Sequence, residues 1–227
     1  MLRLPEPGLA LALLASMFAC RGKPEPEPLA SYGSERLTIM RSTDWRGTPI
    51  FYAYLFPNDT DDCPPLAEVR ASIDGRSLAV NPGGGTGRPC FGPSFKAPLV
   101  VLSNGTDFHE LSIEDQTKTI RARVADLRSD AHLSATQDGE VVRMRFDHAF
   151  RGRISEATVT WSGTVPGEVG IDGDTLVASI PSAVTTSGRV VVAADAVIEL
   201  EIAACEGVAD CEATWFVHEV LDVSVSR

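Results

Sequence analysis

The densest group of side chains able to do chemistry is PNDTDDCPP, residues 57–65. Its oxygen-bearing residues are Asn58, Asp59, Asp61 and Asp62. Carboxylate and amide oxygens are the ligands that Ca²⁺ prefers, roughly six to eight at a time. The segment departs from the EF-hand loop, because it lacks the central glycine. The sequence therefore leaves two interpretations open, a calcium site and a solvated acidic loop.

Histidine is the side chain best suited to acid–base chemistry near neutral pH, and the chain has four. They are scattered, at His109, His132, His148 and His218. The serine-hydrolase motifs GxSxG and SxxK and the zinc-protease motif HExxH are all absent. A hydrolase is the enzyme alternative, and it requires two or more of these histidines to converge with carboxylates in one cleft.

The first nineteen residues have the three parts of an export signal. Arg3 supplies positive charge, and the uncharged apolar block GLALALLASMFA, residues 8–19, follows it. A membrane-spanning helix needs about 20 apolar residues, so this block is too short to be one. Residues 1–19 are therefore predicted to be a signal peptide.

The end of this block, Met17-Phe18-Ala19-Cys20, resembles the lipobox of bacterial lipoproteins. That pattern is leucine, a small residue, glycine or alanine, and then cysteine. Ala19 and Cys20 match it, Met17 replaces the leucine, and Phe18 is bulkier than the pattern prefers. The resemblance implies that Cys20 is the lipidated first residue of an exported protein anchored to the cell envelope. Arg21 rather than aspartate follows, which in lipoprotein sorting implies the outer membrane. An ordinary secretory signal cleaved near Ala19 is the alternative.

The cysteines agree with this interpretation, because an exported chain with an odd number leaves one to be explained. They are Cys20, Cys63, Cys90, Cys205 and Cys211. With Cys20 lipidated, the other four can pair in an oxidising compartment. The pairs nearest in sequence, Cys63–Cys90 and Cys205–Cys211, are the favoured disulfides. Zinc is disfavoured, since no CxxC motif occurs.

Residues 20–35 precede the first strand pattern and are rich in proline and glutamate, which alternate over residues 24–28. This composition predicts an extended, solvated tether. The whole chain of 227 residues has a formal net charge of −11, which argues against a nucleic-acid partner. The glycine-rich segment 81–90 is not a phosphate loop, because Arg88 stands where the motif needs lysine. No cofactor other than calcium is indicated.

The elements that must position these residues are strands, because apolar residues recur with period two along most of the chain. In EVVRMRF, for example, Val142, Met144 and Phe146 alternate with Arg143 and Arg145. Turn pairs such as Asp-Gly and Asn-Gly separate these segments at short spacing. The pattern predicts an all-β protein of antiparallel β-sandwich class.

A polar break at residues 127–134 divides the strand-rich body into predicted modules 36–128 and 129–227. Both resemble immunoglobulin-like sandwiches in size, and one continuous larger sandwich is the alternative. Trp45, in the polar segment STDWRG, is the aromatic residue expected to be exposed for binding. The leading hypothesis is a lipid-anchored binding or scaffolding protein with an envelope protein or polysaccharide as partner. A calcium-stabilised adhesion module is a further alternative.

Overall fold

The computed structural model describes residues 25–32, 36–43, 48–56, 62–63, 65–86, 92–99, 102, 107–126, 132–147, 150–184 and 188–225. Within these ranges the chain forms strands, tight turns and a 3₁₀ turn at Leu29–Tyr32, without an α-helix. The predicted all-β class is confirmed. No helix in the described ranges has the length and apolar character needed to span a bilayer.

The strands are numbered here in chain order. They are β1 (Arg36–Thr43), β2 (Pro49–Phe56), β3 (Asp62–Cys63), β4 (Arg70–Ile73), β5 (Arg76–Ser77), β6 (Ala79–Asn81), β7 (Gly85–Thr86), β8 (Ser94–Pro98), β9 (Phe108–Glu114), β10 (Thr119–Ala125), β11 (Leu133–Asp138), β12 (Val141–Phe146), β13 (Gly152–Trp161), β14 (Val165–Gly167), β15 (Val169–Asp172), β16 (Thr175–Ser179), β17 (Gly188–Leu200), β18 (Ile202–Glu206) and β19 (Asp210–Val225).

Three sheets of four or more strands make up the body. The largest has eight strands in the order β14-β13-β17-β19-β1-β2-β8-β6. The second has the order β18-β10-β9-β4-β5, and the third has the order β11-β12-β16-β15. The described strand pairs are antiparallel except for β1 with β19. The first two sheets combine strands from both sides of residue 128, and the division into two modules stays a prediction.

The period-two pattern forms strands because one face of each sheet is buried. On β12, Val142, Met144 and Phe146 are buried while Arg143 and Arg145 are exposed, as predicted. Buried residues of the three large sheets belong to one hydrophobic cluster. The sheets therefore pack with their apolar faces together, and this inward packing explains why so many short strands are stable.

The predicted tether is wrong for residues 25–32, because these residues pack against the folded body. Leu29 is fully buried, and Glu27 forms a parallel bridge with Leu66. The segment is rich in proline and glutamate, and this composition predicts solvation. Composition is an average over positions, however, and does not indicate that a single leucine, Leu29, can be buried. Burial of that side chain favours order by about 1.5–3 kcal/mol.

The predicted Cys205–Cys211 disulfide is confirmed, with the two Cα atoms 6.0 Å apart. It closes the loop between β18 and β19, two strands that belong to different sheets. Cys90 lies outside the described residues, so the Cys63–Cys90 pair stays a prediction.

Candidate functional site

The eight-stranded sheet has an outer face that points away from the buried cluster. On β19, Ala213, Trp215 and Val217 are buried, so the alternate residues define the outer face. Phe216 and Val220 lie on this outer face and are 49% and 58% exposed. Trp215 and Phe216 are neighbours on one strand, so they lie on opposite faces of the sheet, Trp215 buried and Phe216 exposed.

Two tyrosines of β2 continue the outer face on the other side of β1. Tyr52 and Tyr54 are half-buried, and their ring centroids are 5.8 Å apart with planes 15° from parallel. Burial and the neighbouring Tyr52 raise the pKa of Tyr54 above its usual value, so its hydroxyl stays protonated. Phe51 and Leu55, on the opposite face of β2, are fully buried. Core packing therefore accounts for only one face of this aromatic strand.

A shallow groove of about 410 Å³ lies beside Phe216 on the outer face. Val197 on β17 lies opposite Phe216 on β19. On the next strand, β13, Glu156 and Thr158 also line the groove. The groove thus combines an aromatic ring, an aliphatic side chain, a hydroxyl and a carboxylate. The groove is also lined by His218 and Asp195, an exposed pair with His218 Nδ1 2.7 Å from Asp195 Oδ1. Such a surface can bind a ligand through apolar contact, charge and hydrogen bonds.

A different cluster surrounds His109, a buried residue of β9. The side chain of His109 is 0% exposed, and both of its ring nitrogens face carboxylates. Nδ1 is 2.7 Å from Asp74 Oδ2, and Nε2 is 2.8 Å from Asp126 Oδ1. A carboxylate only accepts hydrogen bonds, and a neutral imidazole has only one N–H to donate. The geometry therefore fits a protonated His109 that donates to both aspartates.

The pKa of His109 reflects two opposing effects. Burial by itself lowers it, but the hydrogen bonds and negative charges of Asp126 and Asp74 outweigh burial and raise the pKa above 6.5. Asp74 is held in place by the β4–β5 turn, in which Asp74 and Gly75 have φ values of 49° and 73°. Since the imidazolium is buried and has no free lone pair, it cannot act as a base toward a substrate. The cluster joins β9 to the ends of β4 and β10.

The other described histidines pair with different carboxylates. His132 Nδ1 is 3.1 Å from Glu219 Oε1, and His218 Nδ1 is 2.7 Å from Asp195 Oδ1. The condition set for the hydrolase alternative is convergence of histidines in one cleft. His109, His132 and His218 do not meet it, and His148 lies outside the described residues.

Several predicted site residues lie outside the described residues: Cys20, Trp45, Asn58, Asp59 and Asp61. Asp62 begins the short strand β3, which pairs with β7. The part of the chain that the structure describes has no cluster of histidine, cysteine and acidic side chains suited to a metal. The calcium site and the exposed Trp45 stay predictions.

Sequence reasoning missed the Asp74–His109–Asp126 cluster, although a signal was present. His109, Leu111 and Ile113 occupy every second position in HELSI, so the period-two rule places all three on the same, buried face. A buried histidine requires hydrogen-bond partners. The partners themselves are 35 and 17 residues away in sequence, and only the pairing of the strands identifies them.

Comparison with protein-family models, with curated proteins and with solved structures finds no match to this chain.

Proposed function

We propose that this chain is a lipid-anchored cell-envelope protein that binds an envelope protein or polysaccharide through the outer face of its eight-stranded sheet. The observation that carries the binding role is the exposed Phe216 beside the groove, in the middle of a sheet face. The anchor is supported by the lipobox-like Met17–Cys20 segment.

The outer face supports a binding role because its composition differs from that of a simple solvated face. The solvent side of an antiparallel sheet is usually polar. Here Phe216 and Val220 are exposed, with Tyr52 and Tyr54 half-buried two strands away. Exposed apolar side chains rimmed by polar ones, such as Phe216 beside Ser42 and His218, are a feature of interaction sites. Aromatic rings are also enriched in interface cores.

The anchor has a direct test in the intact mass of the protein extracted from its own membranes. We expect a chain that begins at Cys20 and carries acyl groups, because lipidation follows cleavage before that cysteine. Reduction is expected to add two hydrogen atoms for each disulfide. A chain without acyl groups, or one that begins elsewhere, would remove the lipid anchor from the proposal.

The binding surface has a test in site-specific photo-crosslinking within the native host. A benzophenone amino acid at Phe216 is expected to give a discrete adduct, because that position lies beside the groove. Ile171, which is 41% exposed on the third sheet, is the matched control site. Protease and glycosidase digestion of the adduct would distinguish a protein partner from a polysaccharide. Equal labelling at both sites, or none at Phe216, would contradict the proposed surface.

A further inference from the structure

Residues 25–32, called here the strap, are held to the body by backbone hydrogen bonds. The Glu27 N–H donates to the Pro65 carbonyl at 2.9 Å, and the Ala67 N–H donates to the Glu27 carbonyl at 2.7 Å. These two bonds bracket the parallel bridge between Glu27 and Leu66. The strap is therefore tied to the segment that leads into β4.

The strap is also held by the turn between β9 and β10. The Leu29 N–H donates to Asp115 Oδ2 at 2.6 Å, and the Ala30 N–H donates to the Thr117 hydroxyl at 3.2 Å. The second oxygen of Asp115 accepts hydrogen bonds from the Thr117 hydroxyl and from the backbone of Thr117 and Lys118. One carboxylate thus shapes the turn and binds the strap. With the Leu29 side chain fully buried, the strap is fixed at a defined place.

The direction of β9 and the position of the disulfide loop show which end of the second sheet the strap contacts. β9 runs from His109 near its start to the turn at Asp115, so the histidine cluster lies at the opposite end of the second sheet. Gly207, in the disulfide loop, lies close to the Thr119 carbonyl at the start of β10. The strap, the 115–118 turn and the disulfide loop therefore share one end, called here the strap end.

We infer that the strap end faces the bilayer and that docking of the strap holds the body close to the lipid surface. This rests on the proposed lipidation of Cys20. An extended chain reaches about 3.6 Å per residue, so the five residue steps from Cys20 to Glu25 span no more than about 18 Å. An undocked tether of sixteen steps to Arg36 would reach about 58 Å. The occupant of this surface is thus a lipid bilayer.

Hydrogen exchange of the full acylated protein, with and without phosphatidylcholine vesicles, tests this orientation. The Leu29 and Ala67 amides are expected to be protected in both conditions, because the strap is docked. Vesicles are expected to slow exchange in the 115–118 turn by about tenfold and to leave the Asp74–Gly75 turn unchanged. Equal effects at the two ends would overturn the orientation without any variant.

Strap variants provide the second arm. Leu29→Asp places a charge in the buried site, so it is expected to release the strap and remove the vesicle-dependent protection. Leu29→Ala removes side-chain contacts without burying a charge, and a partial loss is expected. Ala30→Asp adds the same charge to the strap at an exposed position, so protection should be retained. Vesicle protection that persists in Leu29→Asp would overturn the inference, whereas a chain lacking acyl groups would count against the proposed function itself.

Discussion

Replacing His109 with leucine is expected to lower the free energy of unfolding by about 3–5 kcal/mol. The substitution removes the cation between two carboxylates that are 11% and 32% exposed, Asp74 and Asp126. Loss of the cation from a buried ion cluster leaves two like charges close together without the imidazolium between them, and this costs more than the lost hydrogen bonds. Urea denaturation at pH 6 measures the effect directly.

The same cluster predicts a pH dependence of stability. The pKa of His109 is raised in the folded state above the 6.5 of a free histidine. The folded protein therefore holds this proton more tightly than the unfolded chain does. Its contribution to stability is complete below about pH 6.5 and is lost as the pH rises through the raised pKa of the folded state, with a slope of at most about 1.4 kcal/mol per pH unit. The His109→Leu variant should lack this slope.

His218→Leu is the matched control for both measurements. His218 lies 2.7 Å from Asp195, but the two side chains are 65% and 57% exposed. Because solvent screens an exposed pair, this variant is expected to change the free energy of unfolding by less than about 1 kcal/mol. Similar losses for the two histidines, or parallel pH curves for wild type and His109→Leu, would contradict a buried ionic cluster.

Replacing Trp161 with alanine is expected to lower the free energy of unfolding by about 3–5 kcal/mol. Trp161 is fully buried on β13 and is one of the largest side chains of the core. Its truncation removes apolar contacts and leaves a cavity that the rigid sheets cannot close. Thermal or urea unfolding measures the loss, and a change below about 1 kcal/mol would show that the core collapses around the site.

Gly167, across the β13–β14 pair, tests the same packing from the other side. A Cβ at Gly167 would lie 2.8 Å from Cδ1 of the Trp161 indole, so Gly167→Ala forces the ring to move. We expect a loss of about 1–3 kcal/mol. At Gly170 the nearest atom to such a Cβ is 3.9 Å away, so Gly170→Ala is the matched control. In a Trp161→Phe background the Gly167→Ala loss should shrink, because the smaller ring no longer meets the Cβ.

Much of the local structure was predictable because a strand with one buried face has apolar residues at every second position of its sequence. The alternation at Val142, Met144 and Phe146 identifies a buried face before any partner strand is known. The turn at Asp74-Gly75 was recognisable because these residues tolerate positive φ. The disulfide between Cys205 and Cys211 followed from their short separation. In each case the information lies within a few consecutive residues.

The candidate site was less predictable, because its members are distant in sequence. Nothing near Phe216 indicates that Glu156 and Val197 lie beside it, since the register of three strands decides this. The strap shows the same limit. Its composition predicts a solvated segment, but the Leu29 side chain is buried against the body. Whether a side chain is covered depends on the layer packed against it, which is not encoded locally.

By itself, then, the sequence determined the strand class, the turns, the nearest disulfide and the expectation of export. These depend on local periodicity, on backbone preferences and on the short amino-terminal segment. Only the tertiary structure decided that Leu29 is buried, that His109 lies between Asp74 and Asp126, and that Phe216 is exposed beside a groove. These facts depend on contacts between residues far apart in the chain, and such contacts form only when the sheets pack together.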